Sequence, residues 1–240
     1  MLIKNLELKN APRVVGIIDR IIPQDYLEGL AHYGVDMYEI RVDLFTKPVD
    51  KIFEYIEHIT DEVATPFIGT IRENDLNRSS SVEQFSALVP FVDCVDIELG
   101  ASGWRKMTDA AKEGGSVIIV SKHDYRKTPD KKGLSDIVKR CVDQGADIVK
   151  IAVTAADISD VTHLLRFTEE CEVPLVTIAM GDIGRVSRVI APLFGSLFTY
   201  GYLRKPLAPG QLSAEKLAKE LNYYFPNRRS GDSLNLEGLK

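Results

Sequence analysis

Several things are scarce in this chain of 240 residues. Cysteine is one: there are three, Cys94, Cys141 and Cys171, with no Cys-x-x-Cys pair and no histidine at metal-ligand spacing. That excludes a disulfide scaffold and a zinc module, and it suits thiols kept in a reducing compartment. Long hydrophobic runs are a second absence. None approaches the roughly 20 residues that cross a bilayer, and residues 1–9 alternate charged with apolar side chains, unlike a secretory signal. An excess of basic charge is a third. The net charge of -5 leaves no electrostatic footprint for nucleic acid or an anionic membrane. Nor does any composition shift or internal repeat mark a domain boundary. These absences imply a cytoplasmic, single-domain, soluble protein.

What is present is a 45% hydrophobic content cut into eight short runs, at 14–19, 38–44, 67–72, 94–99, 117–122, 148–153, 175–180 and 197–201. The runs are nearly continuous and rich in Val and Ile, as strands of a parallel sheet covered on both faces should be. Amphipathic stretches such as 49–59 and 134–144 lie between them. Leu134, Ile137, Val138, Cys141 and Val142 follow the stripe of a helix that turns one side to a core. Gly-Ala-Asp at 145–147 and Val-Pro-Leu at 173–175 supply helix stops. Strict alternation of eight strands with helices predicts an α/β fold, a single-domain (β/α)8 TIM barrel over residues 1–226. The tail at 227–240 is expected either to dock or to be disordered. A doubly wound open sheet is the competitor, but it would carry a Gly-rich loop after its first strand. Here that strand ends Gly16-Ile-Ile-Asp19-Arg20.

A barrel places its active site at the C-terminal ends of its strands. Reading those ends gives Glu39, Arg41 and Asp43, then Arg72 and Glu73, then Asp96 and Glu98. Ser121-Lys-His123-Asp124, Lys150 and Met180 follow, the last leading into 181–188. Lys150 stands in the middle of an apolar run, where a charged side chain is rare unless it is paired or working. An ammonium taken out of water is easier to deprotonate, and the free amine attacks ketones and aldehydes. The plain alternative is a strand-end lysine that snorkels its head to solvent. Glu39, Arg41 and Asp43 have a plain alternative too, as a structural ion-pair network. His123 closes an apolar run. By itself it reads as a core histidine bonded to a carbonyl, and beside a reactive lysine as a general acid and base. His32, His58 and His163 stand apart, the last two in helical segments where they are expected to be exposed.

Six segments occur in order: Glu39-Ile-Arg41-Val-Asp43, Thr70-Ile-Arg72, Ser121-Lys-His123-Asp-Tyr125, Val149-Lys150-Ile-Ala-Val153, Gly184-Arg-Val-Ser-Arg188 and Ala208-Pro-Gly-Gln211. Together they resemble type I 3-dehydroquinate dehydratase, the Schiff-base-forming enzyme of the shikimate pathway. The resemblance implies a homodimeric barrel that uses no cofactor and no metal and converts 3-dehydroquinate to 3-dehydroshikimate. It assigns Lys150 to the imine with the substrate ketone. It assigns His123 to removing the α-proton and protonating the leaving hydroxyl. Glu39, Arg41 and Arg72 would hold ring hydroxyls or shape the pocket, Arg188 would bind the carboxylate, and Met180 would form an apolar wall. Gln211 would sit in a closing loop.

Two departures from the family pattern stand out. Leu207 occupies a position that is commonly serine. The stretch Arg72-Glu-Asn-Asp-Leu-Asn-Arg78 lacks a Glu-Gly-Gly whose glutamate orients the histidine in many relatives, leaving Glu73, Asp75, Glu98 or no residue for that role. The sequence also admits two rival readings. One is a lysine-imine aldolase holding a phosphate at Gly181-Asp-Ile-Gly184, which Arg188 disfavours. The other is an inactive binding barrel, which the pairing of Lys150 with His123 disfavours.

Overall fold

The eight apolar runs become eight parallel strands in a computed structural model that describes residues 1–8 and 11–229. The strands are β3 (Arg13–Ile18), β4 (Met37–Arg41), β5 (Phe67–Thr70), β6 (Cys94–Glu98), β7 (Val117–Asp124), β8 (Ile148–Thr154), β9 (Leu175–Met180) and β10 (Phe198–Tyr202). They pair in the order β10-β3-β4-β5-β6-β7-β8-β9, which all but closes a barrel. Helices α1 (Gln24–Tyr33), α2 (Val49–Glu62), α3 (Ser81–Leu88), α4 (Trp104–Glu113), α5 (Lys131–Asp143), α6 (Ile158–Glu170), α7 (Ser187–Ile190) and α8 (Ala214–Tyr224) follow the strands in turn. Their starts are chemically marked where the site needs rigid loops. Asp130 accepts a hydrogen bond from the Gly133 amide (2.8 Å), and Ser213 accepts one from the Lys216 amide (3.1 Å).

Alternation along each strand sends side chains to two separate cores. Val14, Ile18, Tyr38 and Ile40 join the helices in the outer one. Val15, Met37, Ile68, Cys94, Ile119, Ile148, Val176 and Phe198 fill the barrel itself. The floor of the barrel is a feature the apolar runs did not reveal: a hairpin of β1 (Leu2–Ile3) and β2 (Leu6–Glu7), whose Ile3 and flanking Leu8 are buried in the inner core. Among the described residues these side chains plug the barrel interior at its N-terminal end, and the cavity that reaches the interior opens at the C-terminal end.

Other differences bear on the site. β4 stops at Arg41, and Val42–Leu44 form a 3-10 turn rather than strand, because Arg41 and Asp43 grip each other across it. β7 runs on to Asp124, which holds His123 within the sheet opposite Ala152. Val142, expected in the buried stripe of α5, is exposed, while Leu134, Val138 and Cys141 are buried. His163 is half-buried with its Nε2 shielded, not exposed. Arg228 falls in the tail expected either to dock or to be disordered, and its side chain is buried. It donates to Asp36 (2.8 Å) and to the Pro12 carbonyl (3.1 Å), so the packed body continues through it. Residues 230–240 lie outside the described part of the chain.

Candidate active site

Barrel closure brings together side chains far apart in sequence. On neighbouring strands Ser121 lies opposite Lys150 and Thr70 opposite Asp96, so alternation turns the four toward the axis at nearby levels. Lys150 Nζ is 2.9 Å from Asp96 Oδ2 and 3.3 Å from Glu39 Oε1, and it stands 3.9 Å from the centre of the Tyr200 ring. The lysine is buried. Its apolar run is thus misleading about its head group, which neither snorkels to water nor sits among hydrocarbons. Backbone neighbours supply the Val and Ile, and opposite strands supply the carboxylates.

Asp96 is the hub. Besides Lys150, it accepts from Arg72 Nη2 (2.8 Å) and Ser121 Oγ (2.7 Å). Burial pushes its pKa up, but Arg72 and Lys150 outweigh that and hold the carboxyl well below the usual carboxylate range. Glu39 accepts from Thr70 Oγ1 (2.9 Å) as well as Lys150. Arg41 turns away from Glu39 to make a two-pronged pair with Asp43, at 3.0 and 2.7 Å. The cluster Glu39, Arg41 and Asp43 therefore divides: Glu39 serves the lysine, and Arg41 with Asp43 forms one side of the mouth.

His123 stacks on Tyr125, with ring centres 6.1 Å apart. Its Nδ1 is 3.8 Å from Glu98 Oε1, within ion-pair reach but too long for a hydrogen bond. Burial lowers its pKa from the ordinary 6.5. Glu98 works against that shift, and the Arg72 and Lys150 cations add to it. The imidazole is thereby kept neutral and able to take a proton near neutral pH.

Arg188 differs from every other arginine in the site. Burial takes its guanidinium out of water, leaving it 2% exposed, and no ion pair reaches it among the described residues. Nη1 donates to the Tyr200 carbonyl (3.3 Å), and Nε is buried without a partner. Desolvation alone pulls its pKa down to about 10. A buried cation left without an ion pair among the described residues is costly, and the position suits an anionic partner.

A single cavity touches all eight expected residues: Glu39, Arg41, Arg72, His123, Lys150, Met180, Arg188 and Gln211. Ile17, Tyr125, Ala152, Ile178 and Tyr200 complete its walls, and Leu207 and Ala208 cover it. Tyr200 escaped sequence reading. The available signal was alternation on β10, which puts it on the same face as the buried Phe198, two residues earlier. Gln211 Oε1 accepts from the Leu207 amide (2.7 Å), so the covering loop is fastened to itself. A side chain at Gly210 (φ 71°) would run into the Gly181 carbonyl, and the Gly181 amide donates to the Pro209 carbonyl (3.2 Å). Gly181 therefore locks cover to barrel and offers no free amide for a phosphate. A cleft at the opposite face, lined by Lys4, Glu28, His32, Thr65 and Arg229, has no comparable convergence of groups. No group of His, Cys, Asp and Glu able to hold a metal ion occurs among the described residues.

A (β/α)8 barrel with a paired lysine, a neutral histidine and an unpaired guanidinium around one cavity at its C-terminal mouth defines the class: a barrel enzyme built to act on a small anion. The family model for type I 3-dehydroquinase matches residues 23–228. The 3-dehydroquinate dehydratase of Methanocella arvoryzae is 37% identical over 216 residues, covering 88% of this chain and 95% of its own. Among solved structures, the type I enzyme of Clostridium difficile, determined with covalently modified comenic acid, superposes with a TM-score of 0.80 at 25% identity. It covers 93% of this chain and 96% of that one. The Aquifex aeolicus enzyme superposes with a TM-score of 0.76 at 29% identity, over 89% of this chain and 99% of its own. The chain belongs to the type I 3-dehydroquinate dehydratase family, and its activity is the dehydration of 3-dehydroquinate in the shikimate pathway. That sets aside the aldolase and the inactive barrel.

Proposed function

We propose that the dehydration runs through an imine at Lys150, with His123 as the group that moves protons. The observation that carries this reading is the pairing of one buried amine with one buried, unpaired guanidinium, Arg188, on the same cavity. The substrate carries both a carboxylate and a ketone. Gripped by Arg188, the carboxylate fixes the ring so that the ketone carbon meets the amine.

The amine adds to the carbonyl carbon, and the carbonyl oxygen leaves as water, giving a protonated imine. His123 then removes the α-proton, and the electron pair flows into the imine, so a neutral enamine forms where a carbanion would have been. The enamine expels the β-hydroxyl, which takes its proton from His123 and departs as water. Addition of water to the resulting imine frees the conjugated ketone and regenerates Lys150. Asp96 and Glu39, both within 3.3 Å of Nζ, stabilise the cationic stages. Glu39, Arg41 and Arg72 hold the ring hydroxyls, Met180 supplies an apolar wall, and Gln211 anchors the cover. The chemistry draws on no cofactor.

Conversion of ketone to enone is followed by ultraviolet absorbance. Lys150→Ala and His123→Ala are each expected to stay folded and to lose at least about 100-fold in kcat, the scale of general acid–base contributions. Near-full turnover in either variant would remove that residue from the mechanism.

We propose further that the enzyme is a cytoplasmic homodimer. Three unpaired thiols suit a reducing compartment. Val186, Leu193 and Tyr224, all exposed near α7 and α8, offer apolar surface for a second copy. Light scattering at twice the chain mass is the expected result.

A further inference from the structure

The geometry points to Glu98 as the positioning residue for His123: its carboxylate, within ion-pair reach of Nδ1, favours the tautomer protonated there, so that Nε2 presents a lone pair for the transfer steps. The inference rests on the reading of His123 as the acid and base. Its substance is which residue of this chain governs the imidazole.

Three acidic residues compete for that role, and the structure separates them. Glu73 is committed elsewhere: Oε2 accepts from the Ser102 amide (3.1 Å) and Oε1 pairs with Arg78 (3.3 Å). Asp75 is almost wholly exposed and its partner is also Arg78. Leu76, beyond it, is 95% exposed and carries no acid at all. Glu98 alone faces the ring, with Oε1 3.8 Å from Nδ1.

Its position is built rather than incidental. Glu98 ends β6 opposite Ser121 on β7, two residues before His123. The Leu99 amide donates to the Ser121 carbonyl (2.8 Å) and ties the two strand ends together. Beyond the strand, the buried Gln144 clamps the chain from both sides. Its Nε2 donates to the Glu98 carbonyl (3.2 Å), and its Oε1 accepts from the Gly100 amide (2.9 Å). A side chain on a clamped strand end has few positions to explore. The histidine also needs such a partner. Arg72, just beyond the end of β5, and Lys150 on β8 both disfavour imidazolium, while Asp96 and Glu98 on β6 favour it. Asp96 is taken up by Arg72, Ser121 and Lys150, which leaves Glu98 to stabilise the protonated ring that must exist between the two transfers. In turn His123, and then Arg72, hold the Glu98 carboxyl below its usual range.

The test is Glu98→Gln, which preserves shape and removes charge, with Glu73→Gln as the control. In the wild type and both variants, the four histidine rings are titrated by NMR, and the pH profile of kcat/KM is recorded. In Glu98→Gln, the His123 titration and the acidic limb of kcat/KM are expected to move together to lower pH. kcat should fall about 10- to 100-fold, less than the roughly 100- to 10,000-fold a general acid–base group itself supplies, and KM should change little. Glu98→Asp, which restores charge on a shorter arm, should recover part of the loss. Glu73→Gln should match the wild type. If His123 titrates unchanged in Glu98→Gln and kcat holds, or if Glu73→Gln produces the shift instead, Glu98 does not position the ring. Failure of the underlying reading is distinct, because it would show as turnover retained by His123→Ala.

Discussion

Arg188 shows how much one side chain can disclose. A guanidinium that is buried, bonded to one carbonyl and without an ion pair among the described residues is costly, and the proposed substrate carboxylate would relieve that cost. Lysine at 188 would keep the charge and lose the fork. Arg188→Lys is therefore expected to raise KM about 10- to 100-fold, since a charged hydrogen bond contributes about 1.5–3 kcal/mol, while Lys150 stays reactive. Steady-state kinetics check this, and an unchanged KM would move the carboxylate to another part of the cavity. At this scale the sequence was informative about identity and poor about environment. Lys150, His123 and Arg188 stood out as polar residues in apolar or loop-opening positions. Yet the surroundings of Lys150 were misjudged, because Glu39 and Asp96 lie 111 and 54 residues away and meet it only when the barrel closes. Tyr200 drew no attention, since an aromatic residue in an apolar strand looks like any other core residue.

Among elements, the covering loop decides access. From Leu203, buried beneath it, to Gln211, the loop crosses the mouth with Leu207 over the cavity. Its internal latch is the Leu207 amide on Gln211 Oε1, and its tie to the barrel is the Pro209 carbonyl on the Gly181 amide. Few bonds fasten it, so the loop should open locally at low cost. Cleavage after Arg204, whose guanidinium rests exposed on Tyr26, should slow sharply when product is present. Equal cleavage with and without product would mean the segment is no lid. Leu207→Ser should retain turnover within a few-fold, because the latch uses the backbone amide and not the side chain. A collapse of activity would give the leucine a packing role beyond covering the site.

Element reading from sequence also had definite bounds. Eight Val- and Ile-rich runs marked the barrel strands because both faces of each strand are buried, and 175–180 coincides with β9. The β1–β2 hairpin was hidden because strands of two residues carry no periodicity. They owe their form to the inner core that Ile3 and Leu8 plug. The end of β4 was overrun because Val42 and Leu44 continue its apolar pattern, while an ion pair between side chains bends the chain.

For the whole molecule, one network of charges links catalysis to stability. Asp96, held below the usual carboxylate range by Arg72 and Lys150, stays ionised in the folded protein at pH values where the unfolded chain, with an aspartate pKa of about 3.9, takes up a proton. A depressed folded pKa means stability that is fully present above about pH 4 and is lost as pH falls below it. His123, also depressed, works in the same direction at higher pH: below about 6.5 the unfolded chain binds a proton that the folded ring resists. Urea unfolding between pH 3 and 7 should show stability declining gently below pH 6.5 and steeply below 4. Asp96→Asn should flatten the steeper part, and an identical slope in that variant would place the acid sensitivity elsewhere.

The proposed mechanism turns on covalent chemistry at one nitrogen, Lys150 Nζ. Borohydride added to the enzyme with substrate or product reduces an imine to a stable amine, and peptide mass mapping then locates it. The expected result is one ligand mass added per chain, on the peptide that contains Lys150, with His123→Ala still labelled because imine formation precedes its step. No added mass, or a label on Lys122 instead, would contradict the mechanism.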